Sequence, residues 1–243
     1  MVQGTRDAYV KSLIRRRYAD LAANPHTATD GRARALVAGY QSSSLERVPE
    51  PLVRLWSGCG PLAEDINLDG VETIVDIGCG GGLDAWLLAT RPTPPRHIIA
   101  VDLTPEMLVK LGQRLPPASS CRISMLAGDG EHLPLADGCC DLVVANAALN
   151  LALDMPAAIA EAARVLRPGG RLQACEPVRE GELAPEILAD PLGHATSLGG
   201  VATEGQLREA MTTAGLVDVL IDQRRPFPPV FAITIRARKP ISG

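Results

Sequence analysis

The sequence predicts an α/β fold: a largely parallel sheet wrapped by helices, completed at its C-terminal end by an antiparallel hairpin. Three observations carry that reading. From about residue 71 onward, short β-rich apolar runs alternate with helical patterns, the signature of a parallel sheet with crossover helices. Four of the first five runs are almost continuously apolar over their central residues, as strands covered on both faces must be. The last two runs have no helix between them, and consecutive strands without a crossover pair antiparallel or lie apart in the sheet.

In chain order, residues 1–70 read as an N-terminal helical and loop cap over the active site. A helical segment at Tyr9–Ala22 is followed by Asn24-Pro25, a polar stretch to Ser44, Pro49, Pro51 and Gly58-Cys59-Gly60-Pro61, too irregular for an independent core. Residues 71–243 form the sheet domain. Parallel strands are expected at Thr73–Gly78, His97–Leu103, Arg122–Gly128, Asp141–Leu149 and Arg171–Val178. Thr104-Pro105-Glu106 offers an N-cap hydroxyl, a proline at the first helical position and an acid in the first turn. Met155–Leu166 puts Ile159, Ala162, Ala163 and Leu166 on one face and stops at Arg167-Pro168-Gly169-Gly170. Thr203-Glu204-Gly205-Gln206 is a capping box whose helix ends at Gly215. Leu216–Asp222 and Val230–Arg238 make the hairpin, joined by a loop containing Pro226, Pro228 and Pro229.

Composition narrows the function. The 243 residues are 46% apolar and 21% charged, and the mean hydropathy of +0.09 suits a buried core rather than a disordered chain. A net charge of −4, with no basic stripe longer than Arg15-Arg16-Arg17, speaks against nucleic acid as a partner. No apolar run reaches the length of a membrane span, and residues 1–20 carry Arg and Asp where a signal peptide would be apolar. A cytoplasmic protein is expected, its six Cys reduced thiols rather than a disulfide framework.

The most informative stretch is Val75-Asp76-Ile77-Gly78-Cys79-Gly80-Gly81-Gly82-Leu83-Asp84, which ends a strand and opens a helix. There a ligand reaches backbone amides at the sheet's C-terminal edge, and glycines let the chain turn without a Cβ in the way. Asp102, closing the next strand 20 residues after Gly82, suits a ribose's two hydroxyls. A dinucleotide fingerprint fits poorly. Counted from Gly78 the sixth place is Leu83; counted from Gly80 it passes formally but leaves Gly78-Cys79 to finish a strand. The spacing Asp76-x-Gly78-x-Gly80-x-Gly82 resembles the loop of S-adenosylmethionine-dependent methyltransferases, whose cofactor carries an ammonium for Asp76 and no phosphate for it to repel.

The resemblance then extends over nearly the whole chain. Gly128-Asp129, Ala145-Asn146 and Arg167-Pro168-Gly169-Gly170 are similar to the class I methyltransferase pattern. Within that class the chain most resembles the arsenite methyltransferases, through Gly58-Cys59-Gly60, Gly82-Leu83-Asp84, Val101 to Leu108, Glu131 to Asp137, Leu149-Asn150-Leu151 and Arg236 to Pro240. The family implies a Rossmann-like sheet and S-adenosyl-L-methionine as cofactor, with S-adenosyl-L-homocysteine as product. It also implies roles: Asp102 on the ribose, Leu103 on an adenine face, Asp129 accepting from the adenine amino group with Gly130's backbone beside the ring. Asn146 would lie along the methionine part where the methyl is presented. Tyr18 resembles the aromatic that relatives fold over the cofactor. The cofactor set is thus Tyr18, Asp76, Gly78, Cys79, Gly80, Gly82, Asp102, Leu103, Asp129, Gly130 and Asn146.

The chain departs from the arsenite enzymes where they bind arsenic through thiolates. Cys59 matches one family cysteine, but Ala147 and Ser197 stand where two others sit, and Asn24–Ser44 contains none. A small-molecule acceptor other than arsenite is therefore expected, with arsenite methylation and a non-methylating role as alternatives; no metal is expected. The other cysteines read as buried small hydrophobes or, for Cys79, as part of the loop backbone. His194 is either a general base or a solvent-facing loop histidine. Glu176 either binds or deprotonates the acceptor or is a surface acid at a strand end. Trp56 and Tyr18 either roof the site or pack the cap onto the core. His132 is given no catalytic role.

Overall fold

Alternation along the strands decides the architecture. The computed structural model describes residues 3–25, 31–117, 120–182, 186, 193 and 200–241. Its centre is a seven-stranded sheet of β1 (Thr73–Ile77), β2 (His97–Asp102), β3 (Arg122–Ala127), β4 (Cys140–Asn146), β5 (Leu166–Val178), β6 (Val217–Phe227) and β7 (Val230–Arg238). The spatial order is β3-β2-β1-β4-β5-β7-β6. The first five strands are parallel, β7 lies antiparallel to β5, and β6 pairs antiparallel on the outside of β7.

Successive side chains leave a strand on opposite faces, so each strand feeds two cores. Ile74, Ile98, Ala100, Leu142, Val144 and Ala232 enter one apolar cluster. That cluster is shared with α5 (Leu83–Ala89) and with Leu45, Leu52, Trp56 and Leu62 of the N-terminal segment. Val75, Ile77, Val101, Val143, Ala145 and Ile233 enter the other, beneath α7 (Met155–Val165) and α8 (Glu204–Thr213). The remaining helices are α1 (Gln3–Ala23), α2 (Gly31–Ala38), α3 (Ser42–Arg47), α4 (Glu50–Leu55) and α6 (Pro105–Gly112).

Two expected caps form and one does not. At α8 the Thr203 hydroxyl accepts from the Gln206 amide, and the Gln206 side chain accepts from the Thr203 amide. Gly215, at φ +80°, ends the chain's helical course. At α6 the Thr104 hydroxyl caps no amide; it is drawn to the carboxylate of Asp102. Strand ends also differ from the sequence reading. β4 stops at Asn146, because Ala147 takes φ +53° and a short 3-10 turn follows at Leu149–Leu151. β5 starts at Leu166, with a register shift opposite Cys140 and Leu142 absorbing the Pro-Gly-Gly stretch. β6 runs on through Pro226 to Phe227, where a loop was expected. An edge strand tolerates that proline because nothing outside it needs the missing N–H.

The order of strands reverses between β1 and β4, and in an open α/β sheet the crevice beyond the C-terminal ends of such a pair is where ligands bind. That edge holds the turn after β1, Leu103 and Thr104, the 128–131 loop and the turn after β4.

Candidate active site

The turn after β1 is shaped by three left-handed glycines: Gly78 at φ +68°, Gly80 at +54° and Gly82 at +85°. The amides of Gly78 and Cys79 donate to the carbonyl of Val101 at 2.8 and 3.0 Å, tying the turn to β2. Asp102 completes the tie: its Oδ2 accepts from the Gly80 amide and its Oδ1 from the Thr104 amide, each at 2.8 Å. Burial pushes the Asp102 carboxyl up, and those amides pull it back. A Cβ on Gly80 would meet nothing within 4 Å; it would project into the open cleft.

All eleven residues that the sequence placed toward a cofactor line this one cleft. At its floor Asp76 is 2% exposed, and its Oδ2 has no hydrogen-bond partner among the described residues. Burial, then the carboxylates of Asp84 and Asp102, hold its pKa well above the ordinary value. Burial and the Asp102 and Asp76 carboxylates likewise push the Cys79 thiol well up, so it is no thiolate. A buried carboxylate without a partner wants a cation, and an ammonium-bearing cofactor fits that need.

The opposite wall is built on Asn146. Its Oδ1 accepts from the amides of Cys59 at 2.9 Å and Gly60 at 3.4 Å. Its Nδ2 donates to the Gly60 carbonyl at 2.9 Å and to Asp84 Oδ2 at 3.0 Å. The amide group is thus fully engaged in clamping the Gly58–Gly60 turn. Asp84 also accepts from the Ala63 amide at 3.1 Å and from the Tyr40 hydroxyl, and Tyr40 meets Trp56 edge-on at 5.4 Å. Both glycines of the turn are dictated by close approach. A Cβ on Gly58 would lie 2.5 Å from Asn146 Oδ1, and one on Gly60 2.6 Å from Cys175 Sγ.

At the far end, Asp129 Oδ1 accepts from the Glu131 amide at 3.0 Å, while Oδ2 accepts from Lys11 Nζ at 2.6 Å. Tyr18 and Ile14 of α1 line the cleft, and Val10 and Ile14 pack against Leu103. Asp129, Glu131 and His132 bring ligand-type atoms within 4.8 Å of one another, but the Lys11 ammonium already bridges the two carboxylates.

The acceptor-side residues fare differently. Glu176 is no surface acid: it is 1% exposed inside β5 and does not line the cleft. Its Oε1 accepts from the amides of Ala148 and Leu149, and its Oε2 from Asn150, at 3.0–3.1 Å. Burial raises its pKa to about 7 against those amides. A carboxylate so committed shapes the turn after β4 and leaves no oxygen turned to a substrate. His194 lies outside the described residues, as does Ser197. Sequence reasoning missed Lys11, Glu131 and the bonding of Asp84.

Residues 75–174 match the family described as "Methyltransferase domain". An arsenite methyltransferase of Halobacterium salinarum is 30% identical over 183 residues, 75% of this chain and 46% of that protein. A malonyl-[acyl-carrier protein] O-methyltransferase of Dechloromonas aromatica is 35% identical over 189 residues, 76% of this chain and 68% of that protein. The crystal structure of CrArsM, an arsenic(III) S-adenosylmethionine methyltransferase of Chlamydomonas reinhardtii, shares the fold with a TM-score of 0.65 at 22% identity, over 82% of this chain and 72% of that one. The chain spans about half the length of the curated arsenite relatives it matches. It belongs to the S-adenosylmethionine-dependent methyltransferases, with the class I Rossmann-like sheet, and its cofactor is S-adenosylmethionine.

Proposed function

We propose that the chain transfers the methyl group of S-adenosylmethionine to a small-molecule acceptor at the wall formed by Asn146 and the Gly58–Gly60 turn. The observation that carries this reading is Asp76: a buried carboxylate with an unpartnered oxygen on the wall of a cleft whose glycine turn is pinned by Asp102. The cofactor supplies an electrophilic methyl on a sulfonium. Asp102 and the glycine turn hold the ribose, Asp129 the adenine amino group and Asp76 the ammonium. Trp56, Ile14 and Tyr18 line the cleft and would exclude water from the methyl to be transferred. Incubating the protein with S-adenosylmethionine and fractionated small-molecule extracts is expected to release S-adenosylhomocysteine in an acceptor-dependent way. Cofactor binding with no release from any fraction would favour a non-methylating role.

A second reading, arsenite as acceptor, is favoured by one contact. Cys175 Sγ packs against Gly60, beside Cys59, so the matching family cysteine has a thiol neighbour in place of the one that Ala147 lacks. Both thiols are buried, which raises their pKa, and a soft metalloid would have to displace their protons. Methylation assays with arsenite and glutathione decide: turnover abolished by Cys59→Ser supports this reading, and absence of turnover discards it.

A further inference from the structure

We propose that Lys11 is the positioning residue of the adenosine end, bridging Asp129 and Glu131 so that the Asp129 carboxylate is held where it accepts from the adenine amino group. This rests on the reading of Asp129 given above. Each of the two carboxylates commits one oxygen to the backbone and the other to Lys11. Asp129 Oδ1 takes the Glu131 amide at 3.0 Å, and Glu131 Oε1 takes the Leu153 amide at 2.8 Å. Asp129 Oδ2 and Glu131 Oε2 take the one ammonium at 2.6 and 2.8 Å.

The pairing is stronger than an ordinary surface bridge. The Lys11 side chain is 23% exposed and that of Glu131 8%, so neither charge is screened as a free surface ion would be. Burial works against the charge on Lys11, yet bonding and attraction from Asp129 and Glu131 outweigh it and raise its pKa. Lys11 is also the one cation on the cleft wall among the described residues, facing Asp76, Asp84, Asp102, Asp129 and Glu131. Without it, the buried Glu131 and the part-buried Asp129 carboxylates face each other with no cation between them, and their repulsion turns Asp129 out of the place it holds. The other titratable neighbours are the exposed His132, whose ring comes within 4.8 Å of both acids, and Asp7, one turn earlier on α1. Lys11 reaches this place because it shares a face of α1 with Ile14 and Tyr18, which also line the cleft.

The test is calorimetric affinity for S-adenosylhomocysteine at pH 8, for wild type, Lys11→Met, Lys11→Arg and Asp129→Ala. Methionine keeps the stem's packing, and far-UV circular dichroism verifies the fold of each variant. The ratio of variant to wild type is read. Lys11→Met is expected to weaken binding at least fivefold, with Lys11→Arg within threefold of wild type. A loss under twofold, or an arginine variant as weak as methionine, overturns the proposal. Asp129→Ala separates the two readings. If it binds as wild type does, the role of Asp129 fails; if it weakens binding while Lys11→Met does not, only the inference about Lys11 fails.

Discussion

Asp84 and Asn146 are joined side chain to side chain, Oδ2 to Nδ2 at 3.0 Å, across 62 positions of sequence. Through that one contact the first turn of α5 and the end of β4 hold the Gly58–Gly60 turn and, by way of Tyr40, the wall at Trp56. This wall of the cleft is thus set by a buried polar chain whose members hold one another.

Removing either partner strands the other. Asn146→Ala leaves the Cys59 amide unpaired and the Gly60 carbonyl with the Leu62 amide alone, and Asp84→Ala takes the acceptor from the Ala63 amide and the Tyr40 hydroxyl. Each variant is expected to lose about 1–3 kcal/mol of stability in urea unfolding. The double variant should lose less than the sum by about 1 kcal/mol; strict additivity would show that the two side chains do not act together.

Asp102→Ala removes the acceptor that fixes the Gly80 amide and that, in the proposed reading, would hold a ribose. Losing charge-assisted hydrogen bonds of about 1.5–3 kcal/mol each predicts affinity for S-adenosylmethionine and S-adenosylhomocysteine reduced by about 100-fold, equally for both. Calorimetry reads it, and affinities like those of wild type would remove Asp102 from the cofactor site.

Glu176 links stability to pH. Its folded pKa of about 7 lies above the 4.5 of an unperturbed glutamate, so between those values the folded chain keeps a proton that the unfolded chain has released. Its contribution is therefore full below about pH 4.5 and lost as pH rises through about 7. Urea midpoints at pH 5 and pH 8 are expected to differ more for wild type than for Glu176→Gln. An identical pH dependence in the two proteins contradicts the burial effect.

Gly80→Ala combines two penalties. At φ +54° an alanine pays about 1–2 kcal/mol for the left-handed backbone, and its methyl enters the space where the cofactor would lie. A modest fall in Tm with a loss of cofactor affinity above tenfold is expected. Thermal melts with and without S-adenosylhomocysteine measure both; undiminished ligand stabilisation would place the cofactor elsewhere.

What the sequence made legible was local. Strand periodicity, the capping box at Thr203 and the glycine turn each lie within a few residues, and each formed where expected. The misses share a cause. Thr104 satisfies an N-cap rule, but Asp102 two residues away competes for its hydroxyl. Glu176 looks like a strand-end acid until the turn after β4 folds back and brings three amides to it. Lys11 and Asp129 are 118 positions apart, and no spacing rule relates them. The same holds for Asn146, whose lining position was readable and whose hydrogen bonds were not.

Both indoles of the chain, Trp56 and Trp86, and the phenol of Tyr40 belong to the apolar cluster that joins the N-terminal helices to the sheet; the other two phenols, Tyr9 and Tyr18, ride on α1. The layer under α7 and α8 has neither. Intrinsic tryptophan emission consequently watches only one side of the molecule. A tryptophan-fluorescence unfolding trace records the departure of that side, and the half containing Glu176 melts in the dark.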